Sequence, residues 1–335
     1  MIKSKSICYT KNAVNICVDY RIELLSIVEY LAGYNTIMTK LNFSYKENVN
    51  EYFSTYKEHD VIKMFLELNK IGFTYGTPPN ITLYLDEDFK IRQDIDFDDF
   101  YINRMGGKEN FELFCNLLYK FSKDTNYDDF FKDNIHYYES IIENTINILP
   151  DYNFISELHS YYGMKRNNYY IFLVSLFGPC GFGPKVIHKN GDIDIYSIVG
   201  LLECTTILNF GNVEYFKYMQ RHEFSHSFIN PLTLKHWDEA KNYVSLYNKT
   251  KEIKQNCYGD WEECLNEHII RAVVIRLSSL AEEGIEDKLV QKELSRGFIY
   301  IEDIIKSLKY YEQNRDIYKD IDKYYIKILE DLNKN

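Results

Sequence analysis

His222-Glu223-Phe224-Ser225-His226 sets two imidazoles four residues apart with a carboxylate directly after the first. On a helix that spacing turns both rings to one face, where they can meet a single zinc ion and leave positions open for water. Glu223 is then placed to act as general base toward that water. The segment before the motif, Val213 to Arg221, has no Gly or Pro and reads as helix, whereas Asn230-Pro231 follows within about a turn. A residue ahead of proline is pushed out of the helical region, so the helix is expected to stop there with both histidines near its end. The competing reading is a pair of buried histidines satisfied by core hydrogen bonds.

A hydrolytic zinc site needs a third protein ligand. A third His following closely after a Gly is excluded, because Ile229 and Leu232 hold those places. Asp260 to Val274 is a second helical run, with Asp260 as N-cap and Glu263 completing a capping box. Glu267 lies one turn deeper, beside Ile270 and Val274, where an unpaired carboxylate would be costly. It is the expected third ligand, set against an i to i+4 pair with Arg271, which could instead recognise a substrate carboxylate. Glu262, Glu263 and His268 are weaker substitutes, and His236, Asp238 and Glu239 sit on what reads as a solvated helix. His236, Tyr243, Tyr247 and Tyr258 lie within plausible reach as oxyanion donors, but among 31 Tyr residues any one is a packing residue first.

Arg221 through Pro231, Glu267 through Ala272, Arg21 through Tyr34 and Tyr52 through His59 resemble a bacterial family known only as a domain of unknown function. Its members look like zincin metallopeptidases of the glutamate-ligand type. The resemblance implies His222, His226 and Glu267 as metal ligands and Glu223 as catalytic base, and supplies no substrate. Better-known peptidases of that type place an Asp one turn after the third ligand to orient the first His; here the place holds Arg271, so the partner of His222 is unassigned.

The elements that must carry these residues form an α+β chain. From about Val18 to Leu149 apolar residues recur at three- and four-residue intervals over Ile22–Leu31, Tyr45–Leu68 and Phe111–Phe121, giving packing helices. Ile81–Leu85, after Gly76-Thr77-Pro78-Pro79-Asn80, is either extended or the start of a helix. Tyr169–Leu176, Val186–His188 and Ile193–Val199 read as strands, the last two joined through Asn190-Gly191, with Thr205–Phe210 leading to the motif helix. The expected division is a helical region over 1–150 and, over 151–335, a zincin-like catalytic domain with a small sheet, the motif helix and the glutamate helix. Ile193–Val199 is the strand proposed to offer an open edge to a peptide. Gly178 to Pro184 has no following Lys-Ser/Thr and reads as a shaped turn rather than a phosphate loop. In Asp86–Asp99, Asp99 and Met105 stand where a calcium loop needs Gly and Glu, so a solvated acidic loop is expected.

A chain of 335 residues, 45% hydrophobic, can bury a sizeable core, and a net charge of -11 without a basic patch argues against nucleic acid; Lys249-Thr250-Lys251 is only a local cluster. Seven cysteines without paired metal-binding spacing, Cys257 and Cys264 among them, fit small buried residues in a reducing compartment. The basic start is broken by Asn12, Asn15 and Asp19 and lacks the apolar region of a signal peptide, and the apolar run near Tyr169–Phe177 is too short to span a bilayer. The reading is therefore a cytoplasmic, zinc-dependent metallopeptidase acting on a peptide or protein substrate. Its rivals are a catalytically inert zinc-binding interaction protein of the same fold and a helical interaction module in which the motif is accidental.

Overall fold

The computed structural model describes residues 4–34, 40–151, 153–204, 208–250 and 259–332. It is a mixed α+β chain that divides into two compact units, Met1–Tyr152 with Arg166–Met219, and Asn153–Lys165 with Gln220–Asn335.

The first unit is built on a seven-stranded sheet. Strands β1 (Ile7–Lys11), β2 (Val14–Val18), β3 (Ile95–Asp96), β4 (Asn168–Val174), β5 (Gly181–Phe182), β6 (Lys185–His188) and β7 (Ile193–Gly200) pair in the order β1-β2-β4-β7-β6-β3, with β5 also on β7. The neighbours β2-β4 and β4-β7 are parallel and the other pairs antiparallel. Parallel strands are covered on both faces, which is why β4 and β7 carry nearly continuous apolar sequence and bury almost all of it. Asn190-Gly191 turns β6 into β7 as its residue types predict.

Three local expectations change. Residues 7–18 form a hairpin rather than part of a helical region: Asn12 and Ala13 both take positive φ, 50° and 66°, the pattern of a tight turn between antiparallel strands. That hairpin sets Cys8 directly opposite Cys17, and the two are joined as a disulfide, contrary to the expectation of reduced cysteines throughout. Strand β7 has no open edge, since β4 flanks it on one side and β5 and β6 on the other; β1 and β3 end the sheet. The glycine-rich turn lies against β7, and at Gly200 a Cβ would meet the Gly178 carbonyl oxygen at 1.9 Å, so only glycine permits this approach.

Helices α1 (Tyr20–Leu31), α2 (Ser44–Phe53), α3 (Asp60–Ile71), α4 (Thr77–Thr82), α5 (Asp99–Asn103), α6 (Lys108–Asp124), α7 (Tyr127–Asp133) and α8 (Ile135–Ile148) complete this unit. Ile81 thus falls in a helix, whose first turn holds two prolines where a missing N–H costs nothing. The acidic stretch is exposed except at Phe89 and Ile95, half-buried at a few positions, and spends its carboxylates locally: Asp86 accepts from the Asp88 and Lys90 amides, Asp94 pairs with Arg92, and Asp98 caps α5.

The second unit is helical in all its described elements: α9 (Phe154–Tyr162), most of α10 (Val213–Lys235), α11 (Trp237–Ala240), α12 (Val244–Tyr247), α13 (Trp261–Ala281), α14 (Glu286–Leu294), α15 (Ile301–Gln313) and α16 (Ile321–Leu332). The strands expected beside the motif within 151–335 belong to the first unit, because β4 pairs with β2 near the start of the chain. Of Thr205–Phe210, only Leu208-Asn209 is strand among the described residues, paired with Glu203-Cys204; Thr205–Ile207 lie outside them. No helix among the described residues is long and apolar enough to cross a membrane.

Candidate metal centre

The motif helix α10 does not stop at Asn230 but runs through Pro231 to Lys235, so His222 and His226 lie in its interior. Proline removes one N–H from the ladder, and tertiary bonds hold the turn beyond it. The Thr233 hydroxyl meets the Asn266 side chain on α13 and the Tyr325 hydroxyl, 2.5 Å away, on α16. Upstream, buried Arg221 forks onto Glu157 of α9 at 2.9 and 2.7 Å and reaches Ser278 of α13 at 3.1 Å. Phe224 stacks on Phe154 and Phe228 on Tyr162, the latter with centroids 4.3 Å apart. Held by these contacts, the two imidazoles of α10 are set against a fixed neighbour.

Helix α13 supplies that neighbour. Asp260 accepts from the Glu263 amide at 2.9 Å, and the Glu263 carboxylate reaches back to the Gly259 amide, a reciprocal cap one residue longer than the usual box. From Cys264 to Leu277 every residue of α13 is buried, so its polar side chains must find partners inside. Asn266 meets Thr233, and Arg276 pairs with Glu286 and Glu312. Glu267 divides its two oxygens: Oε2 takes Arg271 Nε at 3.0 Å and Nη2 at 2.9 Å, while Oε1 lies 3.5 Å from His226 Nε2 and 3.7 Å from His222 Nε2.

His222, His226 and Glu267 each offer one donor atom, and the three atoms lie within 4.8 Å of one another. Two ligands of a four-coordinate zinc, each about 2.0–2.1 Å from the ion, sit roughly 3.3 Å apart. The nitrogen–oxygen separations are longer than an ordinary hydrogen bond and close to that spacing, and two imidazoles with one carboxylate are a zinc donor set. His226 Nδ1 lies 3.2 Å from Asn230 Oδ1, so its N–H donates there and leaves the Nε2 lone pair on the cluster side. Asn230 is a residue the sequence reading passed over except as a helix stop; its position four after His226 was the available signal.

Burial governs the charges. It drives the His226 pKa down to about 4, which keeps the ring neutral and its lone pair free at pH 7. Burial also pushes Glu223 up to about 7, the nearby Glu267 charge adding to the rise while His222 and Arg271 oppose it. For Glu267 burial acts in the same upward direction, but His222, Arg271 and His226 outweigh it and hold the carboxyl well below the usual carboxylate range.

The other candidates lie elsewhere. Burial lowers the His268 pKa to about 4; its Nδ1 is 2.7 Å from the Cys264 carbonyl and its ring rests near Phe298 and Tyr300. His236 pairs with Asp322 at 2.9 Å and Asp238 with Lys241. Arg271 is bound to Glu267 and, through Nη1 at 2.9 Å, to Glu293 on α14, which leaves the substrate-carboxylate reading without a free edge. Glu293 had no local signal, since its partner lies 22 residues away. Tyr258, Cys257 and Lys251 lie outside the described residues.

Comparison with curated proteins and with solved structures finds no match. A family model does match, over residues 14–330, taking in both units and all four motif residues. The chain belongs to the family described as domain of unknown function DUF4932.

Proposed function

We propose that this protein is a zinc-dependent metallopeptidase of zincin type, with His222, His226 and Glu267 as metal ligands and Glu223 as general base. The observation that carries the reading is the convergence of three donors from two helices, α10 and α13, with Glu223 on the same turn as His222. When bound, the ion supplies Lewis acidity to a scissile carbonyl and to the attacking water. Glu223, whose pKa is pushed up to about 7, is matched to taking a proton from that water and handing it to the leaving amine. Neutral His226 and ionised Glu267 are in the protonation states that a cation requires, so loading displaces no proton from either at pH 7.

Purified without added zinc, the protein is expected to carry about one zinc per chain by elemental analysis. Glu223→Gln should keep the zinc and lower chelator-sensitive cleavage of a peptide library by about 10²- to 10⁴-fold. Full zinc occupancy without cleavage by the unmodified chain would replace this reading with an inert zinc-binding protein. Absence of bound metal, before and after zinc is supplied, would remove both.

A further inference from the structure

We infer that Arg271 is a positioning residue that holds Glu267 as a one-oxygen ligand, with the buried Glu293 neutralising the charge this arrangement brings beside the ion. The inference rests on the metal-site reading and concerns how that site is shaped.

Both N–H groups on one edge of the guanidinium, Nε and Nη2, converge on Glu267 Oε2. The atom left facing the two imidazoles is Oε1. A carboxylate that swings freely can take an ion with both oxygens; one whose second oxygen is held by two N–H groups offers a single coordination position. The ion then keeps one more position open for water or substrate, the condition that separates a catalytic zinc from a closed structural one.

The remaining edge of Arg271 is fixed too. Nη1 lies 2.9 Å from Glu293 Oε2, and the guanidinium packs 4.1 Å above the Phe298 ring. Arg271 and Glu293 are only 5% and 2% exposed, so neither charge is screened by bulk water. An isolated arginine here would repel a divalent cation, and the Glu293 carboxylate cancels it. Arg296, half-exposed at 3.2 Å from Glu293, adds a charge that solvent largely screens. Buried ion pairs seldom stabilise a fold more than apolar residues of similar volume, so a geometric role accounts for the trio better than stability does.

The test uses the full-length chain loaded with Co²⁺, whose visible absorption reports coordination number, with metal affinity measured by chelator competition. In Arg271→Met/Glu293→Gln, which removes the cation together with the Glu293 charge it pairs, affinity is expected to fall about 10- to 100-fold. The visible band should also weaken, as Glu267 adopts two-oxygen coordination and the coordination number rises. Arg271→Lys, offering a point charge in place of the fork, should lie between the two in both readouts. A double variant with native circular dichroism and unchanged affinity and spectrum overturns the inference. If the double variant does not fold, Arg271→Lys decides: unchanged affinity and spectrum overturn the inference, and a lower affinity with a weaker visible band than the unmodified chain supports it. Failure of the unmodified chain to bind Co²⁺, or binding that survives His222→Ala, would instead strike the metal-site reading.

Discussion

Glu23 and Glu223 are both pushed up to about 7 by burial, in two separate units of the chain. Glu223 shares its surroundings with the His222 imidazole, the Glu267 carboxylate and the Arg271 guanidinium. Glu23 sits on α1 and accepts from the Tyr45 hydroxyl, which is itself 2.9 Å from that of Tyr138; this bond opposes the rise that burial causes. Its folded pKa lies above the ordinary 4.5, so its contribution to stability is complete below pH 4.5 and is lost as pH rises through about 7. The difference is on the order of 3 kcal/mol. Glu23→Gln should therefore have little effect at pH 4.5 and raise the urea midpoint at pH 8 relative to the unmodified chain; equal midpoint differences at both pH values would show that Glu23 does not titrate in this way. Residue types alone indicated the cluster residues, because His-x-x-x-His on a helix and an apolar-flanked Glu carry their geometry with them. Glu23 gave no such signal, since its environment comes from a tyrosine 22 residues away.

Helix ends are where local sequence and tertiary bonds compete. At Asp260 they agree, and Asp260→Ala should cost about 1 kcal/mol of stability and weaken zinc retention by loosening the first turn of α13. Thermal melts with and without a chelator would check this, with no shift in either counting against the cap. At Gly163 the end of α9 takes φ of +67°, and a Cβ there would stand 2.2 Å from the Lys319 carbonyl oxygen. Gly163→Ala should destabilise the second unit by roughly 2 kcal/mol or more, read as a fall in urea midpoint. At Pro231 local sequence and tertiary structure disagree. Asn230-Pro231 reads as a stop, yet Thr233, Asn266 and Tyr325 carry the helix onward through bonds to α13 and α16 that no local window contains. The same blindness hid the interior position of β7: its apolar run identified a strand, but its neighbours come from distant parts of the sequence.

Over the whole molecule, the helical runs Ile22–Leu31, Tyr45–Leu68 and Phe111–Phe121 and the β6–β7 hairpin were readable from periodicity and from Asn190-Gly191, whereas the division of Tyr45–Leu68 into α2 and α3 and the composition of the two units were not. The Arg166–Met219 stretch joins the N-terminal unit and Asn153–Lys165 joins the C-terminal one, an exchange decided by parallel pairing of β2, β4 and β7. The Cys8–Cys17 link closes the first hairpin, so thiol titration of the unfolded chain before reduction should find two fewer groups than after it; equal counts would mean the pair stays reduced. Such a link persists in oxidising surroundings and is opened by cellular thiols, so the measurement on protein from its native compartment also reports where the chain resides. The β2–β4 register has a consequence for synthesis. Val14 pairs with Tyr169, so at ribosomal rates of about 5–20 residues per second the β2 edge waits roughly 8–30 s for its partner to emerge. Throughout that interval the nascent hairpin presents an unpaired apolar edge, and chains released before β4 is made should depend on chaperones to escape aggregation.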